Sequence, residues 1–371
     1  MKVLVLFGGE SVEHEISIIS ALQVANALKV EHEVIPVYIS KTNKMYYDEG
    51  LLDLNFYKDL DKNLKNKKQI KINKDENNFY IKKRGLLKKK HYFDIAFPVV
   101  HGKGMEDSTI HGYLRFKKIP SVGSSLSFLS ACQDKVLTKR ILKSEGINTL
   151  EYVHISNINE IDNIKLSYPL IVKPNNLGSS IAISRANNKK ELKDAVISAL
   201  SYDTSVLIEP FLENIRELNI SVLRKGDDIE VSYIEEVGNN DILTFEDKYE
   251  GSSRKGMASL KREVPANVTR VLKNEVEEIA KKTYQILNAK GVIRIDFIVS
   301  EKVYVNEVNA IPGSYAFYLW KDKYDFVELT NIVLKEARRE TFKEEKLIKT
   351  YNKMDIFSKL DTSKSLKKTG P

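Results

Sequence analysis

Four residues within Val292–Gly313, reading VIRIDFIVSEKVYVNEVNAIPG, have the types and spacing to do charge chemistry together: Arg294, Asp296, Glu307 and Asn309. Two β-rich runs, Val292–Val299 and Val303–Val308, flank the polar break at Ser300, Glu301 and Lys302, which is the pattern of a hairpin. With Glu301 and Lys302 as the loop, Asp296 falls opposite Glu307 and Arg294 opposite Asn309, and strand alternation puts all four on one face. Ile293, Ile295 and Phe297 then form the core face. Two carboxylates and an amide make an all-oxygen set, which suits Mg²⁺, an ion that keeps room for waters and substrate phosphates. A nucleotide site is the implied use. The same residues also describe a solvated strand face with an Arg/Asp pair, and a one-residue change of register would turn Glu307 to the wrong side.

The elements that must position such a site mix strands and helices. Lys2–Phe7 (KVLVLF) is a continuous apolar run, as expected of a buried parallel strand. Gly8 and Gly9 turn the chain into a helix with predicted apolar positions Ile16, Ile19, Leu22 and Leu28. This start is Rossmann-like but lacks G-x-G-x-x-G, and Glu13 and Glu15 at the helix entry would repel a pyrophosphate. A carboxylate there suits a cationic ligand such as an amine, and Glu13, nearest the glycine turn, is the candidate; a favourable place on the helix dipole accounts for at least one of the pair. Glu33–Tyr38 reads as a second strand, Lys41–Lys90 as lysine-rich and hairpin-like, and Phe93–Val99 as a further buried strand. That strand leads to HGKGMEDSTIHG, His101–Gly112, and places His101 where open α/β sheets bind ligands.

A helix-rich connector, Leu126–Ser144, carries Asp134, Lys135 and Lys139. Tyr168–Lys173 forms a strand entering Pro174–Ser184, where Gly178, Ser179 and Ser180 make a hairpin loop. Behind Lys173, its N–H groups and hydroxyls could fold over phosphates; alone, the three residues are a turn. No Gly-Lys-Ser/Thr precedes a helix, so this is not a Walker A loop. One strand ends at Glu209 and Glu217 starts the next. Thr244–Leu260 is a polar, Gly/Ser-bearing loop, long for a compact domain and therefore expected to be functional. Leu272, Val276, Ile279, Thr283 and Leu287 keep helical spacing, with Gly291 as the predicted stop, and Phe326–Arg338 is another helix before a lysine-rich tail.

With 371 residues, of which 42% are hydrophobic, the chain can bury the cores of two or three domains. The single cysteine, Cys132, excludes an internal disulfide framework. No stretch approaches the roughly 20 apolar residues of a membrane helix, and the chain opens on a strand instead of a signal peptide, so a cytoplasmic, membrane-free location is expected. The net charge of +8 sits largely in Asn63–Lys74 and Ile81–Lys90, with few aromatics interleaved. These read as solvated lysine faces, and no nucleic-acid partner is expected.

Taken in order, GGESVEHEIS (Gly8–Ser17), HGKGMEDSTIHG, DKVLTK (Asp134–Lys139), IVKPNNLGSSIAIS, EDKYEG, RIDF and NEVNAIPG resemble the D-alanine:D-alanine ligases of the ATP-grasp superfamily, over residues 1 to about 340. The resemblance implies an α/β, three-domain ATP-grasp fold: a Rossmann-like N-terminal domain (1–124), a central subdomain (125–208), a C-terminal catalytic subdomain (209–340) and a basic tail (341–371). It further implies ATP and two Mg²⁺ (or Mn²⁺). Lys135, Lys173, Ser179 and Lys248 would contact phosphates, Glu209 the adenine side and Glu217 the ribose. Asp296, Glu307 and Asn309 would bind metal. Glu13, Ser179 and Tyr249 would form a trio over the first D-alanine, with Glu13 facing its ammonium and His101 and Tyr318 also lining the substrate site. Arg294 and the Gly313 N–H would hold the tetrahedral intermediate.

The activity so implied is ATP-dependent formation of a D-alanyl dipeptide for peptidoglycan precursors through an acyl phosphate, with D-amino acids and ATP as partners and a homodimer as the assembly. The alternatives are D-alanine joined to another acceptor such as D-serine, or a catalytically silent homologue. Retention of Lys135, Lys173, Arg294, Asp296, Glu307 and Asn309 argues against silence, and Tyr249, where ester-forming members carry histidine, favours an amide product. Some positions depart from the family pattern. Met105, Ser108 and Ala182 stand where the family has glycine, Pro210 where a lysine is frequent, Ala310 for a threonine, and Tyr318 for the serine that binds the acceptor's carboxylate.

Overall fold

The computed structural model describes residues 1–76, 78–83, 89–238 and 262–350. Strand β1 (Lys2–Gly8) is apolar throughout and buried after its first residue, and it pairs in parallel with β2 (Glu33–Ile39) on one side. β3 (Met45–Tyr47) adds antiparallel to β2. Three further strands, β4 (Ile70–Asp75), β5 (Asn78–Lys83) and β6 (Lys90–Phe93), form a small antiparallel sheet, the hairpin-like structure expected of the lysine-rich stretch. The chain returns as β7 (Ile95–Val99), parallel to β1, to give the order β3-β2-β1-β7.

Gly8 closes β1 at φ 89°, and a Cβ there would lie 2.3 Å from the Ile39 carbonyl oxygen, so only glycine makes this turn. Helix α1 (His14–Leu28) follows, and its buried stripe is Ser17, Ile18, Ala21, Val24, Ala25 and Leu28. The predicted stripe of Ile16, Ile19 and Leu22 is therefore displaced. Small residues let the helix sit close on the sheet, while Ile16 and Ile19 turn toward the cleft described below.

Helix α2 (Leu60–Leu64) belongs to the segment before β4, and α3 (Thr109–Phe116) follows the histidine loop. The connector is two helices, α4 (Leu126–Gln133) and α5 (Lys135–Ser144), broken at Asp134, whose side chain caps α5 by accepting from the Leu137 N–H. The next sheet has the antiparallel order β10-β9-β11-β8, built from β8 (Val153–Ile155), β9 (Leu170–Pro174), β10 (Ser184–Ala186) and β11 (Val206–Pro210). Helix α6 (Lys189–Tyr202) closes its own core with Leu192, Val196 and Ala199 against Leu170, Val172 and Ile208.

The last sheet runs β14-β13-β12-β15-β16, antiparallel throughout, from β12 (Arg216–Lys225), β13 (Asp228–Val237), β14 (Arg262–Glu263), β15 (Val292–Val299) and β16 (Val303–Asn309). Ile293, Ile295 and Phe297 are buried as predicted, with Leu218, Ile220 and Val222 beside them. Helix α7 (Arg270–Ile286) ends before Gly291; Asn288, at φ 50°, supplies the left-handed residue, and Gly291 introduces β15. Helix α8 (Phe326–Glu345) is seven residues longer than the sequence pattern suggested, because Arg338 is followed by good helix formers with no breaker. No helix among the described residues is long and apolar enough to cross a membrane.

Candidate active site

The hairpin β15–β16 meets the predicted pairing at the polar end: Arg294 faces Asn309 and Asp296 faces Glu307. It does so by a different route. Val299 pairs with Val303, which leaves a three-residue connection, and a bulge between Asp296 and Phe297 restores the register by giving β16 one extra residue. Asn306 and Glu307 are consecutive half-buried residues, whereas Val303, Val305 and Val308 are buried. Without the bulge Glu307 would face the core. Across the sheet the register continues as Glu235, Asn219, Asp296 and Glu307 on four neighbouring strands, a polar row along the cleft floor.

On this floor Arg294 grips Asp296 with two bonds, Nε to Oδ1 at 2.7 Å and Nη2 to Oδ2 at 2.8 Å, and Asn309 Nδ2 donates to Oδ2 at 3.0 Å. The fork and the neighbouring acids raise the Arg294 pKa further against its burial. Lys135 Nζ lies 3.0 Å from Glu307 Oε1. Burial pushes the Glu307 carboxyl up, but Lys135, Lys173 and Arg294 outweigh it and hold it below its ordinary value.

Beside the floor, β9 and β11 bring Lys173 and Glu209 together, with Lys173 Nζ 2.5 Å from Glu209 Oε2 and Lys139 Nζ 2.6 Å from Oε1. All three are buried. Burial alone would protonate Glu209, yet the two lysines hold its carboxyl down, while burial draws the Lys139 pKa down against Glu209. Lys139 had no role assigned from sequence. Its signal was present, because Lys135 and Lys139 are four apart on α5 and share a face.

The loop after β9 arches over the cleft through Ser179 and Ser180, at φ 54° and 58°. A Cβ on Gly178 would stand 3.1 Å from Glu13 Oε2, so the loop comes close to the start of α1, and the Ser179 hydroxyl donates to Glu13 Oε1. His101 is buried against Ser20 Oγ at 3.2 Å, and burial lowers its pKa to about 4, so the ring is neutral. Glu106, also missed, bridges two backbone donors, Gly102 N at 3.1 Å and Ile311 N at 3.0 Å. Burial and nearby Glu13 push its carboxyl up to about 8. Ser20 Oγ accepts from Ser314 N at 3.1 Å, and the Tyr315 hydroxyl donates to the Pro98 carbonyl at 3.2 Å. The N-terminal sheet thus grips the segment holding Gly313 from several sides.

Most candidate residues line one cleft of about 710 Å³: Glu13, His101, Lys135, Lys173, Ser179, Glu209, Glu217, Arg294, Asp296, Glu307, Asn309, Gly313 and Tyr318. The Tyr318 hydroxyl is turned to the buried Glu235, at 2.9 Å from Oε2. Lys248 and Tyr249, and the loop 244–260, lie outside the described residues. A second cavity of about 800 Å³, between α3 and α8, holds none of the candidates.

A family profile described as D-ala D-ala ligase N-terminus matches residues 2–124, and one described as D-ala D-ala ligase C-terminus matches residues 141–336. The curated D-alanine–D-alanine ligase of Thermosipho melanesiensis is 38% identical over 356 residues, which cover 94% of this chain and 96% of that relative. The corresponding protein of Campylobacter lari is 36% identical over 331 residues, covering 89% and 90%. The crystal structure of the D-alanine–D-alanine ligase from Helicobacter pylori superposes with a TM-score of 0.75 at 30% identity, covering 91% of this chain and 98% of that one. A D-Ala:D-Ser ligase from Enterococcus faecalis superposes at 0.72 and 25% identity, covering 91% and 99%.

Proposed function

Because the chain belongs to the D-alanine–D-alanine ligase family, we propose that it is an ATP-dependent ligase taking D-alanine as first substrate and joining it to a second D-amino acid, to make a dipeptide for peptidoglycan precursors. The observation that carries this reading is the convergence of Arg294, Asp296, Glu307 and Asn309 on one floor, with Lys135 and Lys173 beside it. The domain bounds near 124 and 208 and a homodimeric assembly belong to the same proposal.

A carboxylate is a poor electrophile, so its oxygen first attacks the γ-phosphorus of ATP; the bond to ADP breaks and an acyl phosphate forms. Lys135 and Lys173 each now sit on a carboxylate and can turn to the phosphates as those arrive. Glu13, held by Ser179, opposes the ammonium of the first D-alanine. The second amine then attacks the acyl carbon, phosphate leaves with the bonding pair, and the amine's proton is released. Arg294, kept rigid by its fork on Asp296, and the Gly313 N–H stabilise the oxyanion of that step.

The floor fits divalent metal by its chemistry: its donors are two carboxylate groups and an amide, and cations already neutralise both carboxylates. Among the described residues no three His, Cys, Asp or Glu gather to hold an ion by themselves, so phosphate and water would complete its shell. Two Mg²⁺ (or Mn²⁺) held by Asp296, Glu307 and Asn309 would offset the crowded phosphate charge.

The test is ADP release with Mg²⁺ across a panel of D- and L-amino acids, D-alanine first. Glu307→Gln keeps the shape and removes the charge, and its turnover should fall ~10² to 10³-fold with an unchanged melting temperature. Retention of more than about a tenth of the activity would refute the role given to Glu307. A second acceptor such as D-serine is the competing reading, favoured by one observation: Tyr318 stands where a hydroxyl-bearing serine is expected.

A further inference from the structure

If the second substrate is an amino acid, as proposed above, its carboxylate needs a donor at the end of the cleft formed by Gly313–Tyr318. Three hydroxyls stand there, and each has given its proton to the protein. Tyr318 donates to Glu235 at 2.9 Å, Tyr315 donates to the Pro98 carbonyl at 3.2 Å, and Ser314 donates to Gln23 Oε1. A hydroxyl carries one proton, so what these groups present to the cleft is lone pairs, and lone pairs repel a carboxylate. Arg294 has two of its donors fixed on Asp296 and faces the reacting centre.

Behind Tyr318 lies the explanation of its orientation. Glu235 is fully buried and is satisfied by Asn219 Nδ2 at 3.0 Å, Tyr318 Oη at 2.9 Å and Arg262 Nη1 at 3.3 Å. Arg262 also lies over the Tyr318 ring, 5.9 Å from its centre, and lines the same cleft. Its guanidinium has five N–H donors, and one suffices for Glu235. We propose that Arg262, anchored by Glu235 and stacked on Tyr318, binds the carboxylate of the acceptor amino acid, and that Tyr318 is a wall of this subsite and not a donor to it. A planar guanidinium offers a carboxylate two parallel bonds where a serine hydroxyl offers one.

The experiment uses the full chain with Mg²⁺ and ATP, D-alanine as donor, and D-alanine against D-alaninamide as competing acceptors. The amide has no carboxylate, so it can be neither a donor nor a partner for Arg262. Wild type should reject D-alaninamide; Arg262→Met should form D-alanyl-D-alanine with a ~10- to 100-fold higher acceptor KM and gain at least as much in its amide-to-acid product ratio, since a charged hydrogen bond is worth one to two decades. Arg262→Lys should restore part of the discrimination, and Tyr318→Phe, which leaves Glu235 two of its three donors, should keep the acceptor KM within about threefold. A tenfold rise in acceptor KM in Tyr318→Phe, or unchanged discrimination in Arg262→Met or Arg262→Lys, would overturn the assignment. Failure of the wild type to form any D-alanyl product would instead overturn the proposed function itself.

Discussion

Ser108 and Ala182, two of the residues standing where the family has glycine, keep the left-handed backbone that glycine favours, at φ 87° and 55°. The third, Met105, instead fills the space over Gly9, where a Cβ would lie 2.1 Å from its terminal methyl. An L-residue in the left-handed region costs about 1–2 kcal/mol that glycine avoids. Ser108→Gly should therefore be more stable than Ser108→Ala by about 1 kcal/mol in urea unfolding, both having lost the hydroxyl that accepts from Ser130. Equal midpoints would mean that the backbone relaxes there at no cost. Charge and loop position made Glu13, Lys173 and Glu307 readable from the sequence; Glu106, Lys139 and Arg262 were hidden because their partners lie 205, 70 and 27 residues away.

At the scale of elements, the floor's register was legible because polar and apolar residues alternate in β15, but the bulge was not assigned although VYVNEVN breaks alternation at Asn306 and Glu307. An assumed two-residue loop and an overlooked bulge offset each other, so the pairing of Asp296 with Glu307 came out right. Deleting Asn306 should therefore leave that pairing and the melting temperature within a few degrees of wild type, at the loss of its 3.4 Å contact with Lys173. Deleting Tyr304 forces Asn306 opposite Phe297 on the core face, where an unpaired amide costs about 1–3 kcal/mol. Equal thermal stability of the two deletions would contradict the bulge. The rest of the polar row, Glu235 and Asn219, could not be read from the sequence without the strand order, which is a property of the whole sheet.

At the scale of the molecule, the histidine loop is bound to the central sheet through Asp203, whose side chain is buried and takes Lys103 Nζ at 2.6 Å and N–H groups from Asn176 and Thr204. Burial pushes this carboxyl up, but Lys103 and the N–H donors outweigh it, so its pKa lies below the ordinary 3.8. The sign follows: the contact contributes fully above that value and is lost as pH falls through the lower, folded-state value. Asp203→Asn should be less stable than wild type at pH 7, and the gap should close below about pH 4; a constant gap would show that the charge is not involved. The grip on the segment carrying Gly313 has a consequence in time. Ser20 and Ser314 are 294 residues apart, and His101 and Glu106 hold the same segment from the first third of the chain. During synthesis the N-terminal sheet emerges early and waits, at roughly 5–20 residues per second, for the partner that its loops are shaped to hold. The oxyanion loop is therefore among the last pieces of the site to be made, and a chain cut short before it would carry a folded first domain and a nucleotide floor with nothing to close the acceptor end.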